Sequence, residues 1–211
     1  MQQADFLNFI AVLLNSLFDK IMFEPLFNYL ELFQKIPSQD KEAICRNTIF
    51  RKVKEGEVLL QEGKIAKEMF FICSGILKIV SISDKGNEVI HFFLSENKFC
   101  TILKSFTESA VSTDRIQAAC DSELIVFQKD KLHSVFNDLP YFKSLIDNIT
   151  KQALLNKVTL RNSYIGEDAM TRYQKFIVQQ PEIALRVSQT DIASYLGITR
   201  QSLSRIRKNM P

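Results

Sequence analysis

Residues 187–211 read VSQTDIASYLGITRQSLSRIRKNMP, two short helical segments joined by a tight glycine turn. Ser188 and Asp191 make an S-x-x-D start signal, in which the serine oxygen caps the first helix and the aspartate complements its dipole. Ile192, Ala193 and Leu196 recur at helical spacing, and Gly197 supplies the left-handed residue that ends the helix. Thr199 stands where a second cap is needed. At about 100° per residue, Leu203, Ile206 and Met210 fall on one side of the second helix. Gln201, Ser204, Arg205 and Lys208 fall on the other, with Arg200 near its start. Such a helix fits the DNA major groove, where Arg forks onto guanine O6/N7 and Gln onto adenine N6/N7. The pattern points to a helix-turn-helix that reads double-stranded DNA.

A surface hairpin whose charges merely face water would share this periodicity. Two caps, a turn glycine and a basic face, all at helix-turn-helix spacing, argue for the groove instead. The charge distribution agrees. Residues 161–211 hold eight Lys/Arg against four Asp/Glu, net +4, while the whole chain is +3, so residues 1–160 net −1. The positive excess lies where phosphates would be met.

At 211 residues and 46% hydrophobic, the chain can bury one good core or two modest ones. Charged residues of both signs predict a soluble globular protein without disordered tails. The only histidines, His91 and His133, are isolated, and there is no Walker loop, G-x-S-x-G or H-E-x-x-H. Neither an enzyme nor a metal site is expected. Cys45, Cys73, Cys100 and Cys120 lie far apart without a C-x-x-C, which predicts buried reduced thiols in a cytoplasmic protein rather than disulfides or an iron–sulfur cluster.

Residues 4–18, ADFLNFIAVLLNSLF, are strongly apolar, but the uncharged run Phe6–Phe18 is 13 residues, too short to span a bilayer. It carries no basic leader and no cleavage signature, so no membrane partner is expected. Residues 1–22 are read as an apolar N-terminal extension, or as a mis-started segment with Met22 the natural beginning.

Helical pattern covers roughly 23–47, where Leu26, Leu30, Phe33 and Ile44 recur. From about 49 to 128 the chain changes to short alternating runs: IFRKVK, EVLLQ, MFFIC, ILKIVSI, NEVIHFFL, RIQAA and ELIVFQ. Glycine punctuation between them predicts a compact antiparallel β-sandwich or roll, with DKGN at 84–87 as a hairpin turn. Pro140 opens a long helix reaching about Tyr164, roughly 37 Å at about 1.5 Å per residue. Phe142, Ile146, Ile149, Ala153, Asn156, Leu160 and Tyr164 form one narrow stripe on it, and Leu154, Val158 and Ile165 a second. Two apolar faces predict a helix that touches both its own β unit and a second copy, with Asn156 in the seam setting the register. The alternative is a core helix of a single chain. Gly166-Glu-Asp then breaks the helix.

The β unit and the C-terminal segment together resemble a known family. KEGEVLLQEG (54–63), MFFICSGILK (69–78) and the IASYLGIT…SLSRIRK of the last segment are similar to the cyclic-AMP receptor protein / fumarate–nitrate regulator (Crp/Fnr) family, over about residues 23–211. The resemblance implies an α+β chain. Residues 23–139 would form a cyclic-nucleotide-binding-like β-roll (a double-stranded β-helix), 140–165 a dimerisation helix, and 166–211 a helix-turn-helix domain. It further implies a homodimeric bacterial transcription regulator, with RNA polymerase as a further partner. Carried across by position, Arg200, Gln201 and Arg205 would reach base edges, and Thr199, Ser202 and Lys208 phosphates. Ser188, Gln189, Thr190 and Ser204 complete the expected DNA-facing set. The chain stops at Pro211, so no clear wing is expected after the recognition helix.

Members that bind cyclic AMP hold its phosphate with a Gly-Glu pair followed by Arg-Ser/Thr-Ala, since a buried phosphate needs a cationic fork and N–H donors. The matching stretch here is NKFCTILKSFTESAVSTDRIQA (97–118). Thr101 and Ile102 replace Gly-Glu, and Ser112, Thr113 and Asp114 replace Arg-Ser-Ala. Asp114 would repel phosphate. Arg115, the only Arg between Arg51 and Arg161, would substitute if the loop shifts. Ungapped matching from Pro140 puts Lys157 and Val158 where adenine-contacting hydroxyls would lie. The expected effector pocket is therefore Thr101, Ile102, Ser112, Thr113 and Arg115. Cyclic AMP is not its expected ligand, no cofactor is predicted, and another small ligand or none is expected. The alternative function is a ligand-binding module acting through protein contacts; retention on DNA above about 100 mM salt separates the two.

Overall fold

The computed structural model describes residues 21–210. The apolar run 6–18, and with it most of the expected N-terminal extension, lies outside the described residues. Helix α1 covers residues 21–30 and α2 covers Ser38–Arg46. The single helical segment expected over 23–47 is thus interrupted, because Pro37 forces the residue before it away from helical backbone and itself takes the cap of α2.

Eight strands follow: β1 (Thr48–Val53), β2 (Val58–Leu60), β3 (Glu68–Ser74), β4 (Leu77–Ile82), β5 (Glu88–Leu94), β6 (Phe99–Cys100), β7 (Arg115–Ala118) and β8 (Ser122–Gln128). A short helix, α3 (Leu103–Glu108), lies between β6 and β7. The strands form two antiparallel sheets, ordered β1-β8-β3-β6 and β2-β7-β4-β5. This is the predicted roll. The turn after β4 falls at the predicted place, with Gly86 at φ 77° and the Gly86 N–H donating to the Ser83 carbonyl.

Strand alternation divides the apolar residues among three cores. Phe70, Ile72, Leu124 and Val126 of the first sheet meet Leu77, Ile79, Ile116 and Ala118 of the second inside the roll. Met69, Phe71, Ile125 and Phe127 point outward from the first sheet. They are covered by α1, by α4 (Lys129–Asp138), and by the first half of α5 (Pro140–Asn162). On the other side, a bulge between Ile79 and Val80 shifts the β4–β5 register, and Val80, Ile90 and Phe93 face outward together. Four C-terminal helices cover them: α6 (Ala169–Gln179), α7 (Pro181–Arg186), α8 (Gln189–Tyr195) and α9 (Arg200–Lys208).

The long helix corrects one expectation. Phe142, Ile146 and Ile149, read above as part of a seam with a second copy, are buried in the chain's own first core. Here α5 lies along the outer face of the first sheet, so those side chains have a partner already. Further along, Ala153 and Leu160 are half-buried and Asn156 is exposed. The apolar side chains that α5 leaves uncovered are Leu154, Leu155 and Val158, each about half exposed. Ile165, in the turn after the helix, joins them at 71% exposure. Among the described residues no helix is long and apolar enough to cross a membrane.

Candidate nucleic-acid interface

Helices α8 and α9 are built as their sequence dictates. The Ser188 hydroxyl accepts the Asp191 N–H at 3.0 Å, and the Thr199 hydroxyl accepts the Ser202 N–H at 3.1 Å. Both caps satisfy N–H groups that a helix start leaves unpaired. Gly197 sits at φ 65°, which lets the chain reverse and the Ile198 N–H reach the Ala193 carbonyl at 3.0 Å. Leu203 is fully buried against the C-terminal core with Ile192, Ala193 and Leu196. With Ile206 and Met210 packed beside it, Leu203 orients α9.

On the side away from Leu203, Gln201, Ser204, Arg205 and Lys208 are exposed; Arg200 is exposed at the start of α9, and Ser202 is half-exposed beside its cap. Ser188, Gln189 and Thr190 are exposed at the start of α8. Each of these expected positions is thus open to solvent or partly so, on α9 and at the start of α8. Arg207, which sequence reasoning left out, is exposed as well and adds a cation to the last turn of α9. Among the described residues Arg200, Arg205, Arg207 and Lys208 have no ion-pair partner, so their charge is uncompensated.

Asp191 stands in the first turn of α8, as its position suggested, and has a second role. Its carboxylate accepts two hydrogen bonds from Lys78 Nζ of β4, both at 2.9 Å, and the two side chains are only 11% and 16% exposed. Neither Lys78 nor Ser194, which also binds the roll, was singled out from sequence, since each looks like an ordinary surface residue.

The expected effector pocket does not assemble. Strand β7 turns Ile116 and Ala118 into the roll, so Arg115 points to the opposite face, where it pairs with Glu88 and Gln117. Ser112 is buried, but its hydroxyl is engaged by the Asp114 backbone, at 2.7 Å to the carbonyl and 3.1 Å from the N–H. Thr113 is exposed, and Thr101 donates to the Glu68 carbonyl at 3.0 Å. Ile102 packs against the interior of the roll.

What does reach the roll is Lys157 of α5. Its Nζ stands 5.1 Å from the centre of the Phe92 ring, and burial pushes its pKa down. Nearby Cys100 is fully buried, which pushes its thiol up to about 12 although the Lys157 charge pulls the other way. Val158, its neighbour on the helix, is half exposed and lies outside. A cleft of about 720 Å³ lies elsewhere, lined by Leu59, Ile65, Lys67, Phe70, Lys129 and Lys131 among others, and none of the expected pocket residues lines it. Among the described residues no cluster of His, Cys, Asp and Glu could hold a metal ion.

Comparison with known proteins agrees with this architecture. Residues 50–138 match the family described as the cyclic nucleotide-binding domain. The transcriptional activator protein Anr of Pseudomonas aeruginosa is 26% identical over 167 residues, covering 74% of this chain and 68% of that protein. Among solved structures, the c-di-GMP-responsive global regulator CLP of Xanthomonas campestris superposes with a TM-score of 0.65 at 18% identity, over 82% of this chain and 90% of that one. FixK2 of Bradyrhizobium japonicum superposes with a TM-score of 0.64 at 18% identity, over 76% and 83%. At that identity the two structures speak for the fold, which spans the roll and the C-terminal helices together. Residues 50–138 thus carry a cyclic nucleotide-binding domain, and beyond it the chain is similar in sequence to Anr and in fold to CLP and FixK2.

Proposed function

We propose that the chain is a sequence-specific DNA-binding transcription regulator that acts as a homodimer on a near-palindromic site. The carrying observation is α9: its apolar side is anchored by Leu203, while four uncompensated cations and Gln201 face outward. Arg200, Gln201 and Arg205 are suited to base edges, and Thr199, Ser202, Arg207 and Lys208 to phosphates. Ser188, Gln189 and Thr190 flank them at the start of α8. In a two-fold dimer the two copies of α9 would enter successive major grooves about 34 Å apart.

The dimer surface is the apolar ridge Leu154, Leu155, Val158 and Ile165, which stays open among the described residues. Residues 23–139 then serve as the sensor-type roll, 140–165 as the pairing helix and 166–211 as the reading domain. The roll lacks an anion-binding fork, and Lys157 reaches into it from α5, so cyclic AMP is not the effector.

Selection of bound duplexes from a random library, with and without cyclic AMP, tests the reading. The expected result is one enriched palindrome, unchanged by the nucleotide and retained above about 100 mM salt. No enrichment over bulk competitor would reject DNA readout, and enrichment only with cyclic AMP would reject the effector reading.

A further inference from the structure

The C-terminal helices do not hang from the end of α5 alone; they are bound to the roll through α8. We infer that Lys78 and Asp191, with Ser194, form a latch that fixes the orientation of the reading head directly from the β4–β5 hairpin, independently of the long helix.

Several observations converge on this joint. Lys78 projects from the outer face of the second sheet, and its ammonium is held by both oxygens of Asp191 on α8. A charge pair this far from water is directional: the geometry must be kept, because either charge alone would be left buried and unpaired. Strand β5 is the edge of its sheet, so the backbone groups along its outer side have no strand to pair with. Ser194 takes that place: its hydroxyl donates to the Glu88 carbonyl at 2.8 Å and accepts the Ile90 N–H at 3.2 Å. At the next residue of α8, the rings of Tyr195 and Phe93 lie 5.2 Å apart. A second tie links Arg186 of α7 to Glu96 at 2.7 Å, just beyond β5.

Polar ties, an edge-strand cap and a continuous apolar core therefore meet on α8, the helix that carries α9 through a four-residue turn, Leu196–Thr199. Any rearrangement of the β4–β5 hairpin must move α8 or break these bonds. The hairpin is thus a second and shorter route to the reading head than α5, and whatever grips it acts on DNA readout.

Hydrogen exchange on the full chain tests the latch without reference to DNA. In Lys78→Met and in Asp191→Asn, amides of 88–94 and 189–196 should exchange at least about tenfold faster, while those of the inner strands β3 and β8 keep their protection. Ser194→Ala, a milder change, should do the same for the Ile90 amide. In Lys78→Met/Asp191→Leu, where no charge is left buried, protection should return. Unchanged exchange in both single variants would overturn the inference, and so would equal loss of protection throughout the roll.

A second arm rests on the function proposed above. On the palindrome selected by the wild-type chain, the single variants should bind at least about tenfold more weakly, while binding to an isolated half-site changes less than about twofold. Equal weakening on both would show that the pair supports the fold of the head rather than its orientation. Wild-type protein that prefers no duplex would reject the DNA reading and leave the exchange result to decide the latch.

Discussion

Gly75 lies so close to Ser122 that a Cβ on the glycine would fall 2.6 Å from the Ser122 Cα and closer still to its side chain. The approach occurs where β3 turns into β4, and Gly75 holds φ 102°, a backbone that side-chain-bearing residues rarely adopt. The Ser122 hydroxyl uses the gap to reach the Cys120 carbonyl at 2.8 Å and to accept the Ile76 N–H at 3.2 Å. Replacing Gly75 by Ala should destabilise the chain by about 3 kcal/mol or more, because backbone as well as side chain must move. Chemical denaturation measures it. A loss under about 1 kcal/mol would mean the two strands separate easily at this point.

The exposed ridge on α5 predicts where the chain pairs. Placing Asp at both 154 and 158 removes two apolar side chains worth roughly 1.5–3 kcal/mol each on burial and inserts repelling charges. Dimer affinity should fall by at least about a hundredfold, read by light scattering across a dilution series. Asn156 lies about 160° around the helix from Val158, on a side that the ridge does not use. Asn156→Leu should therefore leave the dimer intact, contrary to the register role read from sequence.

Arg205 is exposed and, among the described residues, without an ion-pair partner, so it is available for a base edge. Arg205→Ala should cost about 1–3 kcal/mol of specific affinity and relax the preference at one base pair. Arg207→Ala should instead weaken all duplexes alike and reduce the salt dependence by one charge. Binding curves on the selected site and its single-base variants separate the two behaviours.

Thiol chemistry offers a probe of the roll. Burial pushes the Cys73 and Cys100 thiols up to about 12, so almost no thiolate is present at pH 8. In the folded chain at pH 8, alkylation of the fully buried Cys100 should follow the rate of unfolding, as followed by mass spectrometry of the labelled peptides, whereas the partly buried Cys73 should label slowly without it. Prompt labelling of Cys100 would show that the roll interior opens to solvent.

Much of this architecture is carried by local signals, and those were legible. Ser188, Thr199 and Gly197 act within a few residues of themselves, and the period-2 runs of the roll name their own strands. What escaped depends on distant neighbours. Lys78 and Asp191 are 113 positions apart, and nothing in either segment announces the other. Apolar spacing on α5 showed that Phe142 and Ile146 are buried, but not whether by their own sheet or by another chain. Arg115 was misplaced for a different reason. It was matched to a loop, although Ile116 and Ala118 beside it already marked a strand whose alternate residues face away from the roll interior. Pro37, too, was a visible break that the helical pattern over 23–47 obscured.

Glu96 makes the joint between roll and head sensitive to acid. Burial pushes its carboxyl up, but hydrogen bonds from its own backbone, from Arg186 and from the Gly75 N–H outweigh this, and the net direction is down from the ordinary 4.5. The folded chain thus favours the charged carboxylate more than the unfolded chain does, so the contribution to stability is complete above pH 4.5 and is lost as pH falls through the lower folded value. Wild type should be more stable than Glu96→Gln at neutral pH, and the gap should close on acidification below that point. Denaturation midpoints of the two proteins, compared from pH 7 down to about 3.5, measure the gap directly. A gap that does not change with pH would assign the effect of Glu96 to shape and hydrogen bonding, which glutamine retains, rather than to the charge that Arg186 meets.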